Sequence, residues 1–168
     1  MDKVIESKHI AFYKTSESQL DYVVALEQEE HNQEFIFPYS KQKHRSILQD
    51  PDILHLLVKE KLNHEIIGFI ILAGLESQHL SLEFRRIVIN TQGRGFGRAS
   101  LQLVKRFCFK ELGFHRLWLD VFEHNERAIY LYKSEGFREE GMLRESVKTH
   151  RGFRSLKVLS ILENEYHF

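Results

Sequence analysis

The stretch from Leu82 to Gly97, LEFRRIVINTQGRGFG, limits the fold more than any other part of the chain. Leu82, Phe84, Arg86 and Val88 alternate with Glu83, Arg85, Ile87 and Ile89, and β-branched residues crowd the end of the run, which reads as a buried strand. Gly93, Gly95 and Gly97 then permit backbone conformations closed to other residues and remove the Cβ atoms that would block a ligand. A helical pattern from Arg98 to Leu112 follows. A strand feeding a glycine turn and a helix start presents unpaired amides at the positive end of a helix dipole, roughly half an elementary charge. Arg94 and Arg98 add full charges, so phosphate is the natural occupant.

Spacing narrows the choice of phosphate ligand. No Lys follows any of these glycines by one residue, which excludes a nucleoside-triphosphate P-loop. A dinucleotide fingerprint would need glycine at position 98 or 100, where Arg98 and Ser100 stand. What remains is Gln92-x-x-Gly95-x-Gly97, which resembles the Q/R-x-x-G-x-G/A signature of the GNAT superfamily of acyl-CoA-dependent N-acyltransferases. A second block agrees with it. After the alternating strand Arg116 to Phe122, the segment from Asn125 to Phe137, NERAIYLYKSEGF, is similar to the superfamily's N-x-x-A-x-x-L/F-Y-x-x-x-G-F block. The order of the two blocks and the helix and strand between them also match the superfamily, and the resemblance is specific over roughly residues 80 to 140.

The remaining segments fit this frame. Ile10 to Tyr13 reads as a short strand, and Leu20, Val23, Val24, Leu26 and Glu27 fall at helical spacing after capping residues Thr15 to Glu17. That helix and the segment after it carry Glu17, Asp21, Glu27, Glu29, Glu30 and Glu34. The residues alone allow either a solvated face or attraction of a cationic substrate. Ser40 caps a second helix reaching Leu48, Ile53–Glu60 and Ile66–Leu75 form a hairpin, and Arg138–Thr149 and Leu156–Leu162 close the chain as another. The expected architecture is a single α/β (α+β) domain over residues 1–168. It has one mixed, mostly antiparallel sheet with helices on both faces, as in the GNAT fold.

Composition excludes several functions. The chain has 168 residues, 42% of them apolar, and Lys plus Arg (24) balance Asp plus Glu (24). Zero net charge argues against nucleic acid as a partner, and the longest apolar run is far short of the ~20 residues that span a bilayer. The lone Cys108 lies in an apolar helical run and forms no internal disulfide, consistent with a cytoplasmic protein. The ten histidines show no zinc-ligand spacing and read as surface or cap residues, so no metal is expected.

The resemblance implies acetyl-CoA as acyl donor. Its pyrophosphate would rest on Gln92, Gly93, Arg94, Gly95, Phe96, Gly97 and Arg98, and its pantetheine arm would pair with the strand end at Ile87, Val88 and Ile89. The turn is shorter than in many members of the superfamily, leaving the backbone register at these contacts open by about one position. Asn125 would cap the following helix and touch the cofactor. Tyr132 falls where many members place the tyrosine that protonates the departing thiolate, although Ala128, Ile129 and Tyr132 also form an ordinary packing stripe. Glu83 is the candidate base, on the strand face shared with Arg85, Ile87 and Ile89; a plain surface ion pair with Arg85 or Arg86 fits it equally. No serine elbow or reactive cysteine points to a covalent intermediate, so transfer would be direct. The acceptor is then a small amine such as spermidine or a peptide amine, with a homodimer allowed. A catalytically silent acyl-CoA-binding module is the alternative.

Overall fold

The computed structural model describes residues 1–29, 35, 37–90 and 93–167. Its strands are β1 (Lys3–Glu6), β2 (Ile10–Lys14), β3 (Ile53–Glu60), β4 (Ile66–Ala73), β5 (Ser81–Ile89), β6 (Arg116–Phe122), β7 (Arg138–Thr149) and β8 (Gly152–Leu162). The helices are α1 (Leu20–Glu27), α2 (Lys41–Leu48), α3 (Phe96–Arg106) and α4 (Glu126–Ser134). The described strands form one sheet in the order β1-β2-β3-β4-β5-β6-β8-β7. Every neighbouring pair is antiparallel except β5 and β6, which run parallel.

Strand period two divides the core between the two faces of the sheet. Leu56 and Val58 of β3 and Ile70 and Leu72 of β4 join one cluster with Leu101, Val104 and Phe107 below α3 and Ile129 of α4. Leu57, Phe69 and Ile71 point the other way and pack with Val23 and Leu26 of α1 and Ile47 of α2. The expected mixed sheet with helices on both faces is therefore present, and both hairpins form, although β4 ends at Ala73 rather than Leu75 and β8 begins at Gly152 rather than Leu156. Ser40 caps α2 by accepting from the Lys43 amide at 3.0 Å, and Asn125 caps α4 by accepting from Ala128 at 3.3 Å.

Several details differ from expectation. An extra edge strand, β1, pairs with β2; its four residues are too few to show a period. The helix after the glycine turn begins at Phe96, and its α-form ends at Arg106. Residues Phe107–Glu111 continue as a π-turn, with Leu112 N–H bonded to Phe107 O at 2.9 Å. Glu27 is fully buried instead of lying on a solvated face, and so is His44, while His55 is 4% exposed.

A bulge in β5 has the largest consequence. Arg86 opposes Ile71 and Phe84 opposes Leu72, which leaves Arg85 without an opposite number. Leu82 and Phe84 join the α3/α4 core before the bulge, Ile87 and Ile89 join it after, and Val88 joins the α1/α2 core. The simple alternation expected over 82–89 is thus broken. Glu83 shares the α1/α2 face with Arg85, but Ile87 and Ile89 lie on the opposite face. An inserted residue shifts every later side chain by one position in a period of two.

Candidate acyl-transfer cleft

Strands β5 and β6 pair only through Ser81↔Arg116, Leu82↔Leu117 and Glu83↔Trp118. Beyond these positions β5 stays with β4 and β6 with β8, so the two parallel strands part, and the gap between them is the candidate cleft. Among the described residues one edge of β5 is thereby left unpaired, and backbone direction along it follows from one bond. Asn90 N–H donates to Ile67 O at 2.8 Å, towards β4. Because peptide groups alternate along an antiparallel strand, those of Ile87 and Ile89 face the cleft. The carbonyl of Val88 faces β4, close against Gly68.

The glycine turn follows directly, with Gln92 outside the described residues. Gly93 and Gly95 both have φ of 79°, a left-handed conformation that side chains disfavour. Gly95 caps α3, whose first α-helical bond there runs from Ala99 N–H to Gly95 O at 3.0 Å. The amides of Phe96, Gly97 and Arg98 precede that bond and form the open helix end suited to an anion. Phe96 is buried and anchors the turn to the core. The Arg94 guanidinium lies 4.9 Å from the Phe96 ring centre and donates to buried Glu60 at 2.9 Å, which keeps it beside the turn. Arg98 turns the other way, towards α4, donating to Glu135 at 2.5 Å and Ser134 at 3.0 Å.

Tyr132 lies on α4 against the same core as Ile87 and Ile89, with its ring centre 5.8 Å from that of Phe137. Its hydroxyl has no hydrogen-bond partner among the described residues, and burial pushes its pKa up to about 12. It therefore stays protonated at neutral pH.

The α1/α2 face of the cleft carries charge. Glu83 accepts from Arg85 Nη2 at 2.9 Å, and its side chain is 18% exposed. Asp120 of β6 is raised first by desolvation and then by the charge of Glu83, with Arg85 opposing. Aromatic rings wall the same side: Phe122 and His124 at 5.4 Å, Phe37 and Phe122 at 5.9 Å, Phe35 and His124 at 5.4 Å. Asp120, Glu60 and the Glu27 cluster escape the sequence reading. The signal for Glu27 was its place four residues after Val23, on the apolar stripe of α1. A carboxylate there needs a buried partner.

A family model described as the acetyltransferase (GNAT) family matches residues 20–137. The chain belongs to this family. Among its relatives is the spermidine N(1)-acetyltransferase of Vibrio cholerae, 32% identical over 110 residues that cover 65% of this chain and 64% of that protein. The Escherichia coli K12 protein of the same name is 28% identical over 100 residues, covering 59% and 54%. The aligned regions thus span less than two thirds of either relative. Among solved structures, a chimera of the Vibrio cholerae spermidine N-acetyltransferase SpeG and hSSAT superimposes with a TM-score of 0.84 at 26% identity, covering 94% of this chain and 97% of the other. The Vibrio cholerae enzyme in complex with CoA and spermine has the same fold, with a TM-score of 0.85 at 24% identity and coverage of 95% and 99%.

Proposed function

We propose that this GNAT protein transfers an acetyl group from acetyl-CoA directly to a primary amine in a ternary complex. The observation that carries the reading is the parted β5 edge, which aims the Ile87 and Ile89 peptide groups into a cleft ending at an anion-ready helix start. The residues fit the cofactor: the unpaired edge suits a pantetheine arm, and the Gly93–Gly97 turn with Arg94 suits a pyrophosphate. Bound acetyl-CoA supplies an acyl group activated as a thioester. The Ile87 amide donates to the thioester carbonyl oxygen and stabilises the charge that develops there, a contribution worth ~3 kcal/mol in comparable sites. Tyr132 O–H would donate its proton to the departing thiolate as the C–S bond breaks, and the second proton lost by the acylated nitrogen would return Tyr132 to its phenol form. Glu83, through water, takes the proton that the ammonium must lose before attack. Asp120, on the same side of the sheet and close enough to feel the charge of Glu83, is a second candidate for that step.

The carboxylates Glu83 and Asp120 beside an aromatic wall favour a cationic acceptor, and the spermidine-acetylating relatives support a polyamine over a peptide amine. The cytoplasmic expectation goes with this reading. Cys108 is buried and unpaired, and no helix among the described residues is long and apolar enough to cross a membrane. The homodimer also remains a proposal. Its candidate surface is the sheet edge β7, where Met142 and Leu143 are exposed with Phe153 of β8 nearby in the hairpin. A dodecameric structure is known for the Vibrio cholerae enzyme, so light scattering is the check on assembly. The function is tested by thiol release from acetyl-CoA with spermidine or with short peptides as acceptor. Release with spermidine supports the polyamine reading and release with peptides alone replaces it. CoA binding without release from any amine favours the silent module.

A further inference from the structure

The buried charges between the sheet and helices α1 and α2 take no part in the chemistry above. Glu27, 0% exposed, accepts from His44 Nε2 at 2.5 Å and from the Tyr39 amide at 3.2 Å, and its other oxygen pairs with Arg86. The Arg86 guanidinium lies 3.9 Å from the Tyr39 ring centre. Behind them, His44 Nδ1 meets His55 Nε2 at 3.1 Å, and His55 Nδ1 meets Thr15 Oγ1 at 2.8 Å. α1 and the segment before α2 thus meet one side chain of β5, with His44 of α2 and His55 of β3 lined up behind Glu27. Removing such a pair from water is costly, and apolar side chains of equal volume stabilise a fold as well or better. What a buried pair can provide instead is a single register.

β5 needs one. In a regular strand Arg86 would share the face of Leu82 and Phe84, on the α3/α4 side and out of reach of Glu27. With the bulge at Arg85, Arg86 turns to the α1/α2 face and meets it. The same insertion decides which amides face the cleft. Without it, every residue after position 85 would move by one, and Ile87 would bond to β4 while Arg86 and Val88 faced the cofactor. The ion pair and the catalytic backbone direction are satisfied by the same form of the strand.

We propose that Glu27 is a positioning residue for acetyl transfer: by holding Arg86 on the α1/α2 face it selects the bulged form of β5 and so turns the Ile87 amide into the cleft. This rests on the acetyltransferase reading, so the test includes a readout that needs no turnover. Glu27→Gln keeps the shape and loses the charge. Glu27→Gln/Arg86→Gln removes both charges, leaves no orphan ion and can fold where the single variant fails. Thermal unfolding, thiol release with the best amine and residue-resolved amide exchange are measured for wild type and both variants. In the wild type without cofactor, Ile87 and Ile89 exchange quickly while Arg86 and Val88 are protected, and CoA slows the first pair. The double variant is expected to regain the wild-type unfolding midpoint and yet lose at least tenfold in kcat, with the fast and protected positions exchanged. Recovery of kcat together with the midpoint would overturn the proposal, as would loss of kcat with the exchange pattern unaltered. If the wild type turns over no amine, the functional reading fails while the exchange pattern still decides the role of Glu27.

Discussion

Gly68 of β4 is the position where the smallest change should disturb the cleft most. A Cβ added there would lie 2.1 Å from Val88 O, 2.8 Å from Ile89 Cδ1 and 3.1 Å from Ile89 Cα. Two of these atoms are backbone and cannot rotate away. Restoring a tolerable contact of 3.0 Å to the carbonyl requires β4 and β5 to separate by about 1 Å. The shift falls on the segment that carries the Ile87 and Ile89 amides and pushes it into the cleft. Overpacking of this size costs about 1–3 kcal/mol, and each kcal/mol lowers the melting temperature of a domain this long by roughly 2–4 °C. Displacement by about 1 Å in a site that aligns reacting groups costs on the order of 10² in rate. Gly68→Ala should therefore melt several degrees early but remain folded by circular dichroism, and kcat for thiol release should fall on the order of 10². A variant that melts early yet turns over normally would show that the Ile87 and Ile89 edge takes no part in catalysis. An unshifted melt would refute the packing argument itself.

Other perturbations separate the parts of the site. Tyr132→Phe should lower kcat by roughly 10²–10⁴ and leave CoA affinity by calorimetry nearly unchanged; a normal rate would remove the hydroxyl from the mechanism. With its pKa at about 12, Tyr132 should add no alkaline limb to the wild-type kcat profile up to pH 10. Arg94→Gln should weaken CoA binding about tenfold through loss of one charge-assisted contact, and equal affinity would place the pyrophosphate elsewhere. His55 is pushed down to about 3, by burial first and then by the charges of His44 and Arg86. A depressed folded pKa stabilises the native state above the unfolded value near 6.5, and that contribution is lost as pH falls towards 3, by ~1.4 kcal/mol per unit. Urea unfolding between pH 7 and 4 should show this slope in the wild type and a shallower one in His55→Gln; identical slopes would refute the assignment.

The elements legible in the sequence were those whose signal is local. The β3–β4 hairpin shows in its apolar runs, α2 and α4 show in their caps, and the turn before α3 shows in glycines that the structure holds at φ of 79°. What stayed hidden depends on contacts between distant segments. Nothing in the letters of β5 marks a bulge, because LEFRRIVI alternates acceptably whether or not Arg85 is inserted, and only the partner of Arg86, 59 positions away, distinguishes the two forms. The surface position that the sequence suggests for His44 and His55 fails for the same reason: a histidine is buried when another segment supplies partners for both ring nitrogens.

The two faces of the sheet divide the work, and the cleft between β5 and β6 joins them. The α3/α4 side carries the glycine turn and Tyr132, the groups that suit a phosphate and a departing thiolate. The α1/α2 side carries Glu83, Asp120 and the aromatic wall, the groups that suit a cation. A donor and an acceptor approaching from opposite sides can meet only where the sheet is open, just past the last β5–β6 pair at Glu83↔Trp118. There the bulge lets one short strand serve both sides, because Glu83 and Arg85 lie on the α1/α2 face while the Ile87 amide faces the cleft. In a regular β5 that amide would bond to β4, and the neighbouring peptide groups of Arg86 and Val88 would face the cleft instead.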